Sequence, residues 1–513
     1  MLNNQKLPIG IQDFKKLREE DCLYVDKTEI LLNLLNLGYP TFLSRPRRFG
    51  KSLTISTLFY LCSGKKELFK GTKIYSDHEF KSFPVILLDM SLLSCTTLEN
   101  FENSLHSLLE NISTEYGVSL SSNFLELRFE ELIRKIAPLG KVVVLVDEYD
   151  NPILETMHDS QLVSNIRKRL KNFYGVLKST DKYLKFTFIT GISKFSKVGI
   201  FSGLNNLFDI TLDEQYSTIC GYTEQDLHGI FQGHVEQFLA SRDLTKKEFW
   251  KEIHSWYDGY SWDGKKRLFN PQSILNLFQS KYFHNFWFET GSPSFLMKYL
   301  MNKDLASLGS RVIQVRDDFL SRYEIEESSL ESFLFQTGYL TIKKTIPLGY
   351  ELDFPNKEVT MSFNDILLET KFSIQEKRKN SLLFELLDSF DKEEFPRVFR
   401  TLQSAISSIP YNLFIDTESY YHSIISALLW STGLDVQLED MVSTGRSDIV
   451  VKNDKAVWVL ELKTTSLSDA MKQLLERNYH KKFLGTRIYL VGILISFKKR
   501  NLETFEMKTL EAD

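Results

Sequence analysis

Two groups of residues in this chain have the types and spacing for phosphate chemistry. The first is Arg45-Pro46-Arg47-Arg48-Phe49-Gly50-Lys51-Ser52, set between a short strand-like run ending at Ser44 and a helically spaced apolar run from Leu53 to Leu61. A tight turn ending in Gly-Lys-Ser at the head of a helix lets backbone N–H groups surround phosphate oxygens. In that reading Lys51 reaches the β and γ phosphates and the Ser52 hydroxyl ligates Mg²⁺. Arg45, Arg47, Arg48, Phe49, Gly50 and Leu53 complete the nucleotide-binding loop. The usual pattern has glycine where this chain has Arg45, and a basic surface loop would contain the same residues. Downstream, Lys141-Val-Val-Val-Leu-Val-Asp147-Glu148-Tyr149-Asp150 is a β-branched run that ends in acids. A strand that apolar belongs in a sheet covered on both faces, and acids at its C-terminal end lie where open α/β sheets bind ligands. Asp147 would hold the Mg²⁺ shell, and Glu148 would polarise the attacking water.

The second group lies far downstream. Gly445-Arg446-Ser447-Asp448 leads into the apolar run Ile449-Val450-Val451, and Val457-Trp-Val-Leu-Glu461-Leu-Lys463 follows a polar turn at Asn453 to Lys455. Antiparallel pairing brings Asp448 near Glu461, and the two-residue period puts Lys463 on the face of Glu461. Two carboxylates holding a divalent ion, with a lysine to position or activate water, can cut a phosphodiester. Glu418, at the head of a helix, is a third candidate metal ligand. Gln473 and Tyr479, on a helix after the second strand, are candidates for nucleic-acid contact. An Asp…Glu-x-Lys pattern also occurs in ordinary hairpins, so the flanking Glu418, Gln473 and Tyr479 carry part of the weight.

The elements needed to place the first group alternate in type. Residues 83–89 and 184–191 read as strands, and residues 97–116, 123–136 and 161–178 as helices, which predicts a parallel sheet with helices on both faces. Thr190, at the end of the last of these strands, either contacts the γ-phosphate and lytic water or caps the following turn. The basic stretch from Ser193 to Gly199 reads as a loop. Thr223 opens a helix with an acid in its first turn. The aromatic, turn-rich stretch Trp256 to Gly264 reads as core rather than a base-stacking platform. Residues 333–342 and 350–356 read as strands, and residues 369–389 as a charged connecting helix. The expected plan is an ATPase core at 1–215, a helical lid at 216–300, a mixed connector at 301–410 and a nuclease-like domain at 411–513.

With 513 residues, 42% hydrophobic and 25% charged, the chain is long enough for roughly three domains of ordinary globular composition. A net charge of −4 gives no global signature of nucleic-acid binding, although a local basic groove is compatible with it. The four cysteines, Cys22, Cys62, Cys95 and Cys220, are too scattered for a zinc site or a disulfide framework. Neither a membrane-spanning run nor a signal-peptide core stands out, so a cytoplasmic protein is expected.

The order Leu7-Pro-Ile-Gly-Ile-Gln-Asp-Phe14, Tyr24-Val-Asp-Lys-Thr28, Arg45 to Ser52, Val146-Asp-Glu-Tyr-Asp150, Thr190-Gly-Ile-Ser193 and Phe201-Ser-Gly-Leu-Asn-Asn206 resembles the AAA-ATPase-like family fused to a PD-(D/E)xK nuclease domain. Tyr421-His422, Gly445 to Asp448 and Glu461-Leu-Lys463 continue the resemblance, which is similar to that of archaeal-type STAND ATPases. It implies a P-loop α/β fold with a C-terminal α/β nuclease-like domain, ATP and Mg²⁺ as cofactors, and a loop in which the absent glycine is a family trait. It also implies nucleic acid, DNA first, as partner. The expected function is an ATPase that controls a metal-dependent nuclease. The alternative is a signalling or assembly ATPase whose nuclease fold only binds. The arginines of the loop would contact phosphates in cis, meet an acid between Asp13 and Asp26, or act across a homo-oligomer interface.

Overall fold

The run of valines before the acids is buried along its whole length, as its unbroken apolar character requires. It forms β3 (Val142–Asp147) in a sheet with β1 (Thr41–Ser44), β2 (Val85–Asp89), β4 (Leu184–Gly191) and β5 (Phe208–Asp209). The order is β2-β3-β4-β1-β5, and every neighbouring pair is parallel. Burying each valine or leucine of β3 contributes about 1.5–3 kcal/mol relative to exposure. Helices at Leu98–Glu115, Leu125–Ile136 and Ser160–Ser179 connect the strands, each burying an apolar stripe that recurs every three or four residues. Register pairs Leu43 with Thr190 and Val146 with Ile189, so the C-terminal ends of β1, β3 and β4 lie level.

This computed structural model describes residues 5–194, 200–201, 204, 206–289, 300, 313–320, 329–438, 449–476, 483 and 486–510. The chain divides into two units, Met1–His284 with Gln314–Asn356, and Asn285–Ile313 with Lys357–Asp513. In the first unit, helices Glu224–Gly229, Gln232–Ala240, Lys246–Tyr257 and Pro271–Ser280 follow the parallel sheet. Thr223 caps the first of them in a reciprocal capping box with Asp226. Tyr257, Tyr260 and Trp262 are buried, as expected of core aromatics.

One expected strand is a helix. Residues 333–337 belong to the helix Leu330–Thr337, and only Thr341–Ile346 (β7) is extended, pairing with β8 (Gly349–Asp353) in a small sheet ordered β6-β8-β7, where β6 is Ile313–Arg316. Ser329 caps the helix by accepting from the Ser332 amide, and Gly338 ends it in the left-handed region at φ +87°. The charged helix expected at 369–389 is also broken. One helix ends at Thr370 and the next runs Glu376–Asp391.

The second unit is built on β9 (Asp435–Leu438), β10 (Ile449–Lys452), β11 (Ala456–Lys463), β12 (Arg487–Ser496) and β13 (Asn501–Leu510), in the order β13-β12-β11-β10-β9. Only β11 and β12 are parallel. The even-numbered residues Trp458, Leu460 and Leu462 of β11 share a core with helices Glu376–Asp391, Phe395–Ser407 and Glu418–Ser431. Val457 and Val459 face the helix Leu467–Glu476 instead. All four cysteines are free and buried. Among the described residues no helix is long and apolar enough to cross a membrane.

Candidate nucleotide and phosphodiester sites

The loop after β1 turns into the helix Lys51–Cys62 at Gly50, whose φ of +93° suits a residue without a side chain. Lys51 is buried and folds back over the loop, its Nζ donating to the carbonyls of Arg45 and Pro46 at 3.0 Å each. Burial pushes its pKa down, while the charges of Glu148, Asp147 and Asp150 act in the opposite direction. Ser52 is half-buried in the first turn of the helix. Arg47 is exposed, and Arg48 occupies the left-handed region at φ +68°.

Arg45 points elsewhere. Its side chain is fully buried, and its guanidinium donates to the carbonyls of Ser44 (2.8 Å), Thr211 (2.9 Å) and Tyr216 (3.3 Å) while lying 4.3 Å from the Trp262 ring centroid. Desolvation lowers its pKa to about 10, which leaves it charged at neutral pH. Three carbonyl dipoles and an indole face compensate this buried cation. Phe49 joins the same anchor. It packs edge-on against Tyr260 and Trp262, with centroids 4.7 and 5.0 Å away, and its carbonyl accepts from the Gly221 amide at 3.1 Å. The residue that replaces the usual glycine thus fastens the loop to the segment after β5 and to the aromatic turn. Asp13, one of the acids considered for the loop arginines, accepts instead from Ser56 and Tyr60 at 3.0 Å each.

The acids converge at the ends of β3 and β4. Asp147 Oδ1 accepts from the Thr190 hydroxyl at 2.6 Å and from the Glu148 amide at 3.1 Å. Because β4 lies between β1 and β3, Thr190 stands between the loop strand and the acid strand. Glu148 takes a left-handed backbone at φ +51°, and burial raises its carboxyl pKa against the opposing charge of Lys51. The Thr190 hydroxyl is thus directed at the acid of the neighbouring strand.

A bracket beside these residues was not foreseen. Asp150 is buried and accepts from the Ser193 amide at 2.8 Å, the Ser193 hydroxyl at 2.7 Å and the Ile192 amide at 3.2 Å. The Tyr149 hydroxyl donates to the Ser193 carbonyl at 2.8 Å. Gly191 has no room for a side chain, since a Cβ there would meet the Tyr149 ring at 2.5 Å and Asp150 Oδ1 at 2.6 Å. The Ser44 hydroxyl donates to the Ile192 carbonyl at 2.5 Å, tying the loop strand to the same bracket. The Asp-Glu-Tyr-Asp and Thr-Gly-Ile-Ser runs were the available signal, and each fixes the other. Residues 195–199 of the basic stretch expected to form a loop lie outside the described residues.

In the second unit, β10 and β11 are antiparallel as expected, with Ile449 opposite Leu460. Asp448 precedes Ile449 and lies outside the described residues, as do Gly445, Arg446, Ser447 and Tyr479. Glu461 is 2% exposed, and Lys463 Nζ lies 2.8 Å from its Oε1. Their register partners on β12 are Gly492 and Leu494. A Cβ on Gly492 would meet Ala470 Cβ at 3.0 Å and Met471 Sδ at 3.2 Å, so the missing side chain lets the helix Leu467–Glu476 close on the strand beside Glu461. Gln473 is half-buried on that helix, and Glu418 is half-buried at the first position of the helix Glu418–Ser431. Among the described residues no three Asp, Glu, His or Cys side chains form a metal-holding group.

The fold and these motifs define an ATPase-like module joined to a nuclease-superfamily module. Residues 8–201 match the family model described as "Predicted AAA-ATPase", and residues 416–505 match that of the PD-(D/E)XK nuclease superfamily. The chain is also 36% identical over 531 aligned residues to "Uncharacterized protein in vnfD 5'region" of Azotobacter chroococcum mcd 1, covering 99% of this chain and 100% of the relative. The chain belongs to this family of predicted AAA-ATPases with a C-terminal PD-(D/E)XK nuclease superfamily domain.

Proposed function

We propose that this protein binds and hydrolyses ATP with Mg²⁺, and that its nucleotide state governs a metal-dependent nuclease activity of the second unit on nucleic acid, DNA first. The reading is carried by the convergence of Lys51, Asp147, Glu148 and Thr190 at the C-terminal end of one parallel sheet. A buried lysine at a helix N-terminus beside two carboxylates suits a nucleotide triphosphate with its divalent ion. Ser52 and Asp147 would hold Mg²⁺, which supplies charge neutralisation at the phosphates. Lys51 would exchange its two loop carbonyls for phosphate oxygens. Thr190 keeps Asp147 oriented, and Glu148 would accept a proton from the attacking water. In the second unit, Glu461 with Asp448 and Glu418 would hold the divalent ion, and Lys463 would position water or the scissile phosphate.

The test measures ATP hydrolysis and cleavage of linear and circular DNA and of RNA by the full chain with Mg²⁺ and ATP. Lys51→Ala should abolish hydrolysis and suppress cleavage, while Glu461→Gln and Lys463→Arg should abolish cleavage alone. Cleavage that survives both nuclease variants would sink the second-unit assignment. Cleavage indifferent to Lys51→Ala would separate the ATPase from the nuclease.

A further inference from the structure

An exposed aromatic and basic cluster stands at the end of the second unit's sheet that carries Lys463. Lys463 pairs in register with Leu494, and β12 ends at Ser496, ~7 Å further along the same direction. The turn that follows is Phe497-Lys498-Lys499-Arg500. Arg500, in the left-handed region at φ +51°, lays its guanidinium 3.7 Å from the Tyr411 ring centroid and 6.0 Å from that of Phe414, and donates to the Tyr411 carbonyl at 3.4 Å. Phe497 packs against Tyr421, which lies in the first turn of the helix headed by Glu418, at 6.1 Å between centroids. The cluster is thus anchored in the core on one side. On the other it is open, for Tyr411 remains 77% exposed and Ile415 57% exposed.

We propose that Tyr411 and Arg500, with Lys498, form a binding platform for single-stranded nucleic acid at the end of the sheet that carries Lys463; this rests on the nuclease reading of the second unit. The charge argument is local. The turn carries three cations, of which Lys499 is paired with Glu503 at 2.7 Å and Lys498 is exposed, while the charges of Arg500 and Asp416 act in opposite directions on Tyr421. The exposed tyrosine supplies what the charge lacks. A guanidinium over one face of a phenol ring, with the ring still mostly in solvent, offers a π surface beside a phosphate-binding cation, the pairing by which unstacked bases are held. Bases within a duplex are stacked on their neighbours and cannot use such a surface, which is why a single strand is the occupant.

Fluorescence anisotropy of the full chain with labelled oligo-dT, and with a duplex of equal length, tests the platform in EDTA, where no cleavage occurs. Tyr411→Ala should weaken oligo-dT binding about tenfold and Tyr411→Trp should retain it. Lys498→Ala should lower the salt dependence of binding by about one phosphate contact. Absence of oligo-dT binding by the unaltered chain, unchanged affinity in Tyr411→Ala, or equal losses in Tyr411→Ala and Tyr411→Trp would each overturn the proposal. So would an equal loss on the duplex. Because binding is read without metal, a chain that binds oligo-dT through Tyr411 but cuts nothing refutes the nuclease reading and leaves the platform standing.

Discussion

The Thr190 hydroxyl donates to Asp147 Oδ1 at 2.6 Å across neighbouring strands, both side chains being buried. This bond fixes the rotamer of the carboxylate expected to face Mg²⁺, and it requires a hydroxyl at 190 rather than any polar group. Thr190→Val preserves the shape of β4 but removes the donor. Its ATP hydrolysis should fall about tenfold or more, with half-saturation by Mg²⁺ displaced upward, whereas Thr190→Ser should stay close to the original. A Mg²⁺ titration of steady-state hydrolysis checks this, and identical titrations for Val and Thr would remove Thr190 from the site.

Restoring the usual loop glycine should harm this protein. Arg45→Gly deletes a cation that satisfies three carbonyls and covers the Trp262 ring, and it opens a cavity where the side chain was. A loss of about 3 kcal/mol is expected, seen as a lower thermal midpoint of the full chain. Arg47→Ala, at an exposed position, should leave the midpoint within about 0.5 kcal/mol of the original. Equal midpoints for Arg45→Gly and the original chain would contradict the anchoring role.

These contrasts show where sequence stops being readable. Lys51, Asp147 and Glu148 were legible because a strand, a turn and a helix are local, and apolar runs that end in acids mark strand ends. The direction of the Arg45 side chain was not legible, since its partners Thr211, Tyr216 and Trp262 are distant in sequence and meet it only through the fold. An arginine among phosphate-loop residues reads as a phosphate ligand until its carbonyl partners are seen. The Asp150–Ser193 bracket was hidden for the same reason. At residues 333–337 the failure was one of period. A short apolar run fits strand or helix alike, and Ser329 with Gly338 was the capping signal that decides it.

Glu148 should impose an acid limb on hydrolysis. Burial raises its carboxyl pKa, the Asp147 and Asp150 charges add to the rise, and Lys51 opposes it. A water-polarising carboxylate works only when ionised, so the rate should fall as pH drops through a value above the ordinary glutamate range. The stability sign follows from the same shift. A carboxyl whose folded pKa is raised favours the folded state below its unfolded pKa, and that contribution is lost as pH rises through the folded value. Glu148→Gln should therefore hydrolyse ATP poorly yet melt no lower than the original chain at neutral pH. A variant that melts lower at pH 7 would show that the charge is a stabilising partner rather than a strained catalytic group.

Lys463 and Glu461 raise a different question, because a buried pair can be lost through folding as easily as through chemistry. Glu461 is almost wholly buried, and Lys463 Nζ sits 2.8 Å from its Oε1. Removing the ammonium takes one partner from a poorly solvated carboxylate, and breaking such a pair singly costs up to about 3–5 kcal/mol. Lys463→Met should therefore destabilise the second unit more than its loss of methylene packing predicts. Adding Glu461→Gln removes the charge that Lys463 balanced, so the double variant should recover part of the loss. A double-mutant cycle on chemical denaturation, with Lys463→Met, Glu461→Gln and the pair, should give a coupling of at least about 1 kcal/mol. Additive losses would mean that the ion pair contributes nothing to folding. The lysine would then be held ready for phosphate alone, and Lys463→Met would be a clean test of cleavage.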